Sequence, residues 1–166
     1  MNKLIYPFIC LSLLFIVGCE QSGRSNGFVN DYPEVSWHIG HQSSVDLVKK
    51  IDKAWSGKNW NKLETFFYDT AKYAFAGGDE YNSFDGFVSH IKKEMGDNEP
   101  NWKMDYAFAV DIAPGTGGEW VNAGFTVDVS DVKPDTSEEF YNEWYYVING
   151  KIHRWSQSKQ IILSKK

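Results

Sequence analysis

Residues 140–162 read Phe-Tyr-Asn-Glu-Trp-Tyr-Tyr-Val-Ile, then Asn149-Gly150, then Lys-Ile-His-Arg-Trp-Ser-Gln-Ser-Lys-Gln-Ile-Ile. Two aromatic, β-rich runs flanking Asn-Gly are the strongest local signal for an antiparallel hairpin. Both turn residues tolerate φ > 0, so the turn twists in the same sense as its strands. A regular ladder closed by a two-residue turn sets Ile148 opposite Lys151, Tyr146 opposite His153, Trp144 opposite Trp155 and Asn142 opposite Gln157. Side chains alternate along a strand, so the last three pairs share one face. That face is aromatic with scattered hydrogen-bonding groups, a composition that suits a pocket wall better than a dry core.

Upstream of the hairpin the period is also two. Trp102, Met104, Tyr106, Phe108, Val110 and Ile112 alternate with Lys103, Asp105, Ala107, Ala109 and Asp111. A Pro-Gly-Thr-Gly-Gly turn at 114–118 leads to a partner strand with Val121, Ala123, Phe125, Val127 and Val129 on its apolar face. Before residue 100 the period is helical. Val45, Val48, Ile51 and Trp55, with Leu47 and Ala54 alongside, form a stripe after Ser44, a good N-cap, and Ser56-Gly57 ends it. Asn59 caps a short second helix carrying Trp60, Leu63, Phe66 and Phe67. Residues 71–76 read as a strand with Tyr73 and Phe75 on one face, and residues 79–82 can pair back on it. Ser83 then caps a third helix with Phe84, Phe87, Val88, Ile91 and Met95, closed by Gly96. Helices first and an antiparallel meander after predict an α+β domain over residues 43–166, with the helices on one sheet face.

The N-terminus is a targeting segment. Lys3 precedes an apolar run over residues 4–17, too short to span a bilayer comfortably, and Gly18-Cys19 closes it. Ile16-Val17-Gly18-Cys19 resembles the bacterial lipobox, in which the cysteine is acylated after cleavage just before it. The resemblance implies a signal peptide over residues 1–18, acyl chains (palmitate among them) on Cys19, and an extracytoplasmic, membrane-anchored protein of the cell envelope. Cys10 leaves with the signal, so no disulfide is expected. Residues 19–42 read as a tether: Gln-Ser-Gly-Arg-Ser-Asn-Gly is flexible linker chemistry, while Phe28, Tyr32, Val35 and Trp37 could dock on the domain. A net charge of −5 argues against nucleic acid and against electrostatic attraction to anionic lipid heads. No phosphate-cradling loop, Cys/His metal spacing or nucleophile elbow is present, so neither a metal nor a cofactor is expected.

Three strings carry a family resemblance over about residues 43–162: Ala54-Trp55 with Asn59-Trp60 and Leu63, then Tyr68-Asp69-Thr70-Ala71, then Asn149-Gly150-Lys151-Ile152 with Trp155 and Gln157. Together they resemble the nuclear transport factor 2-like superfamily, also called SnoaL-like. It has a cone-shaped, cystatin-like α+β fold, with N-terminal helices on a curved antiparallel sheet. The resemblance implies a conical pocket into which His153, Trp155 and Gln157 point. By the regular register they are joined by Asn142, Trp144 and Tyr146, with Trp55, Tyr73, Phe75 and Tyr106 as opposite walls. In the ketosteroid isomerase branch a carboxylate on the first strand is the base, and a buried acid on the closing hairpin holds the enolate. The matching positions here are about Phe75 and Trp144, so that chemistry is not supported. Ser158-Lys159-Gln160 lacks the Tyr-x-Asp of other relatives, and Arg154 falls outward.

His153 with Tyr146 is the remaining acid–base candidate; the plainer reading is a histidine filling the mouth of the cone and satisfied by Tyr146. His38, His41, His90, Asp105 and Asp111 read as surface or helix-edge residues. The expectation is therefore a small, mostly apolar ligand bound in an aromatic cone without catalysis. The two alternatives are an isomerase- or hydrolase-type enzyme using His153 and Tyr146, and a homodimer through an outer face bearing Tyr141, Tyr145, Val147 and Ile152.

Overall fold

The computed structural model describes residues 27, 36–95, 101–114, 116–129 and 136–163. Three helices, α1 (Gln42–Ser56), α2 (Trp60–Glu64) and α3 (Phe84–Met95), pack on one face of a curved sheet. Its strands are β1 (His38–Ile39), β2 (Phe67–Ala74), β3 (Glu80–Tyr81), β4 (Asn101–Asp111), β5 (Gly118–Asp128), β6 (Thr136–Ile148) and β7 (Lys151–Leu163). The spatial order is β1-β4-β5-β6-β7-β2-β3. Neighbours are antiparallel except β2 and β7, which run parallel. The α+β architecture expected from the switch of period is the one observed. The signal segment, Cys19, the first part of the tether, Gly96 and most of the 131–138 loop lie outside the described residues.

α1 buries Val45, Leu47, Val48, Ile51 and Ala54 as its spacing predicts. Its start differs from the expectation. The N-cap position is His41, and Ser44 lies inside the helix, where its hydroxyl donates to Glu119 of β5. Glu119 also accepts the His41 backbone N–H at 2.7 Å, so a carboxylate from the sheet does the work of the cap. β1, inside the stretch read as tether, pairs with the edge of β4. Asn59 does cap α2, accepting from the Lys62 N–H, and the Ser83 hydroxyl accepts from Gly86 at the start of α3.

The Asn-Gly hairpin forms as expected: Asn149 and Gly150 have φ of 50° and 71°, and Ile148 pairs with Lys151. The ladder beyond it does not stay regular. Val147 pairs with Ile152, but Tyr146 pairs with Arg154, leaving His153 as an extra residue in a β-bulge. From there on Tyr145 faces Trp155, Trp144 faces Ser156, Glu143 faces Gln157 and Asn142 faces Ser158. This corrects the regular pairing of Tyr146 with His153, Trp144 with Trp155 and Asn142 with Gln157. A shift of one residue exchanges the faces of the strand. Tyr141, Glu143, Tyr145 and Val147 of β6 therefore point toward the helices, and Asn142, Trp144 and Tyr146 point away. β4 repeats the device: Met104 pairs with Phe125 and Tyr106 with Gly124, so Asp105 is extra. Trp102 and Met104 stay on the helix side, whereas Tyr106 and Phe108 turn outward and Ala107 and Ala109 turn in.

The core between sheet and helices is aromatic. Trp155 is fully buried, with its ring centroid 4.9 Å from Phe75, 5.2 Å from Phe87 and 6.0 Å from Trp55. Tyr73 stacks on Phe87 at 4.3 Å. The outer face carries a second aromatic layer in which Trp120 contacts Trp144 and Tyr146, Phe108 meets Trp144, and Tyr106 stacks on Phe108. Gly124 makes room for this layer: a Cβ there would fall 2.4 Å from the Tyr106 ring and 2.9 Å from Phe140. Gly124→Ala is expected to destabilise the domain by about 1–2 kcal/mol through overpacking, read as a lower urea midpoint.

Candidate functional site

The bulge at His153 decides what the cavity between sheet and helices contains. It is a single cleft of about 490 Å³, a size that suits a small organic molecule. Helix α1 supplies Asp52 and Trp55, β2 leads into Phe75, and α3 supplies Ile91, Glu94 and Met95. The sheet supplies Trp102 from β4, Phe125 and Val127 from β5, and four alternate residues of β6: Glu139, Tyr141, Glu143 and Tyr145. Gln157 and Lys159 of β7 complete the wall.

Glu143 is the chemical centre of this wall. It lies on the strand between Trp144 and Asn142, yet its side chain is buried. One carboxylate oxygen accepts from the Tyr145 hydroxyl and from Trp155 Nε1 at 3.0 Å; the other accepts from Gln157 Nε2 at 3.0 Å. Burial pushes its pKa up, and the three donors and the nearby Asp52 charge modify that shift: the donors oppose it and Asp52 adds to it. Asp52 reaches in from the first helix, accepts from Trp102 Nε1 at 3.1 Å, and is also raised by burial. Tyr145 is held well above the ordinary phenol range, first by burial and then by the charge of Glu143. At neutral pH it remains a hydroxyl donor. At the mouth, the Tyr141 hydroxyl donates to Glu139 at 2.7 Å, while Lys159 Nζ lies 3.7 Å from Glu139 and 5.6 Å from the centre of the Tyr141 ring.

Of the residues expected to line the pocket, the structure brings together Trp55, Phe75 and Gln157. Trp155 forms the layer beneath, donating to Glu143, and Tyr73 is buried deeper against Phe67 and Phe87. Asn142, Trp144, Tyr146 and Tyr106 belong to the outer face, where Asn142 donates to the Tyr106 hydroxyl at 2.9 Å. His153 stacks on the exposed Tyr68 at 4.3 Å and has no Tyr146 opposite it. The acid–base pair of His153 and Tyr146 is thus dissolved by the bulge. His153→Ala is expected to cost under about 1 kcal/mol and to leave pocket occupancy unchanged, measured by urea unfolding and by ligand titration. The reverse correction applies to Tyr141, Tyr145, Val147 and Ile152, assigned to an outer dimer face: the first two line the cavity, and the last two are core.

The acidic residues were the ones sequence reasoning missed. A carboxylate interrupting an aromatic strand is a visible signal at Glu143, but the register decides its face. Likewise, the absence of a hairpin acid inferred at Trp144 is corrected by Glu143, one residue earlier and buried. His90, on α3, is more than a helix-edge residue. It packs 3.9 Å from Phe75, shares a hydrogen bond of 3.0 Å with the Tyr81 hydroxyl, and has Nε2 3.4 Å from Glu94. A second, smaller cleft at the α1 N-terminus is organised by Glu119, already engaged by His41 and Ser44. Among the described residues no group of three His, Cys, Asp or Glu side chains is arranged to hold a metal ion, and no helix is long and apolar enough to cross a membrane.

No protein-family model and no curated protein matches this chain. Solved structures do match it in fold. A nuclear transport factor 2-like protein of unknown function from Burkholderia pseudomallei is 9% identical with a TM-score of 0.53, covering 72% of this chain and 92% of its own. One from Cytophaga hutchinsonii is 11% identical with a TM-score of 0.52, covering 73% and 93%. An epoxide hydrolase of the LEH-like type from M. tuberculosis is 12% identical with a TM-score of 0.51, covering 77% and 86%. The fold is therefore the nuclear transport factor 2-like, or SnoaL-like, α+β fold expected from the three strings, with N-terminal helices on a curved, mostly antiparallel sheet.

Proposed function

We propose that this chain is a lipoprotein of the bacterial cell envelope, held to the membrane by acyl chains on Cys19, whose domain binds a small, mostly apolar molecule in the cleft between helices and sheet. The observation that carries the binding reading is the cleft itself. About 490 Å³ is walled by Trp55, Phe75, Trp102 and Phe125, with Glu143 and Gln157 converging from one side. An apolar body with one polar group matches such walls, since the aromatic surface supplies affinity and the few polar groups fix orientation. Trp55 and Trp102 lie in the wall, so occupancy should quench or shift tryptophan emission of the full chain. A library of apolar small molecules that leaves the emission unchanged would argue against it. The anchoring reading rests on the order of apolar run, glycine and cysteine at residues 4–19. Cys19→Ala should abolish incorporation of a labelled fatty acid and release the protein from the membrane fraction.

A second reading, self-association through the outer sheet face, is favoured by one observation: Tyr106 and Phe108 are 40% and 47% exposed beside Trp144. Sedimentation equilibrium in detergent decides it, a monomer at all concentrations counting against it.

A further inference from the structure

We propose that the molecule bound in the cleft carries a protonated amine, seated between Asp52 and Glu143 with its apolar part against the surrounding aromatic rings. The inference rests on the cleft being a ligand site and names the class of ligand. Its basis is an imbalance of charge inside an aromatic enclosure. Among the described residues, four carboxylates line the cavity, Asp52, Glu94, Glu139 and Glu143, against one lysine, Lys159, and no arginine.

One of the four is matched from the protein and another faces solvent. Lys159 lies 3.7 Å from Glu139, while the Glu94 side chain is 59% exposed and is solvated by water. Asp52 and Glu143 have no Lys, Arg or His ion-pair partner among the described residues; their hydrogen bonds come from the neutral Trp102, Tyr145, Trp155 and Gln157. They belong to different elements, Glu143 feels the charge of Asp52, and burial disfavours the ionised form of both. A cation between them would relieve both penalties at once. An anion would add to the repulsion, and a neutral polar group would leave it as it is.

The protein already builds the arrangement once. The Lys159 ammonium rests 5.6 Å from the centre of the Tyr141 ring beside the buried Glu139 carboxylate, a cation held by a π-face and an acid together. Deeper in the cleft, Trp55 and Trp102 approach each other edge to face at 6.4 Å, and Trp102 donates to Asp52. There an aromatic ring again adjoins a carboxylate, an indole in place of the phenol, and among the described residues no lysine or arginine lines that part of the cleft.

Three probes of one shape test this by calorimetry on the full chain at pH 7: 2-phenylethylamine, 2-phenylethanol and phenylacetate. The expected result is roughly tenfold tighter binding of the amine than of the alcohol, with phenylacetate weakest. Glu143→Gln and Asp52→Asn should each reduce that ratio by severalfold, the amine losing more affinity than the alcohol. Should Glu143→Gln fail to fold, Asp52→Asn carries the comparison. An alcohol that binds as tightly as the amine, or an amine preference that survives both substitutions, overturns the inference and leaves the cleft as a site for apolar ligands. Absence of binding by all three probes overturns it too; the cleft reading falls with it only if the apolar library also leaves tryptophan emission unchanged.

Discussion

Trp155→Ala is expected to destabilise the domain by about 3–5 kcal/mol, the range for emptying a tryptophan-sized site that cannot collapse. The surroundings support the upper part of that range. Trp155 is fully buried at the meeting point of β7, β2 and two helices, contacting Trp55, Phe75 and Phe87, all rigid rings that cannot flow into the space. The substitution also removes one of the three donors to Glu143, leaving a buried carboxylate less well satisfied. Trp155→Phe separates the two effects, since it keeps most of the packing and loses the N–H; a cost of about 1–3 kcal/mol is expected from the lost donor. Trp144→Ala, on the outer face and only half-buried, should cost less than half as much as Trp155→Ala. Urea midpoints of the three variants against the parent check this order. Equal costs at Trp144 and Trp155 would mean that the two share a face after all.

That comparison marks the boundary of what could be read from the residues. The strands that alternate cleanly were legible. β5 places Val121, Ala123, Phe125 and Val127 on the helix side as its period predicts, because the outward residues beyond Trp120 (Asn122, Gly124, Thr126 and Asp128) are small or polar. The helices were legible for the same reason, each having one apolar stripe. β6 has no such contrast. Tyr141, Tyr145 and Val147 alternate with Phe140, Trp144 and Tyr146, so both faces look like a wall, and only hydrogen-bond register tells them apart. The register in turn depends on one inserted residue, His153, whose bulge leaves no compositional trace. The Asn-Gly turn fixes the pairing at the tip and cannot see three residues along. β4 fails to be legible in the same way at Asp105.

Consequently the hairpin identified the fold correctly, while its β6 residues Asn142, Trp144 and Tyr146 came out on the wrong face. Trp55, Phe75 and Gln157, supplied by elements whose faces were right, stayed in the site. The acidic set was lost with the β6 register, and with it the feature that gives the cleft its chemistry. The outer aromatic layer is the counterpart of this error: residues read as a cavity wall instead form an exposed band, accommodated by Gly118 and Gly124 on the neighbouring strand. Each glycine faces a ring, Tyr146 over the first and Tyr106 over the second. That relation appears only once the strands are paired.

Glu143→Gln should change how stability depends on pH more than any other single substitution in the cleft. Burial raises the folded-state pKa of Glu143 above its ordinary value of 4.5. Between that value and the raised one, the folded protein holds a proton that the unfolded chain has released. Stability contributed by this group is therefore present at low pH and falls as pH rises through the window, by at most about 1.4 kcal/mol per pH unit for one proton. Asp52 is raised in the same direction and adds its own decline. Glutamine removes the first of these and keeps the site satisfied. Its carbonyl can accept from Tyr145 and Trp155, and the Gln157 amide can turn to accept from its NH₂ where it formerly donated. The variant should match the parent near pH 4.5 and become more stable than it as pH rises from there, the urea midpoints diverging until Glu143 of the folded parent ionises. A parent whose stability rises with pH over this range while the variant's does not would show the reverse balance, with the three donors outweighing the cost of burying the charge. In that case the carboxylate would be ionised without a ligand, and the relief offered by a bound ammonium would be correspondingly smaller.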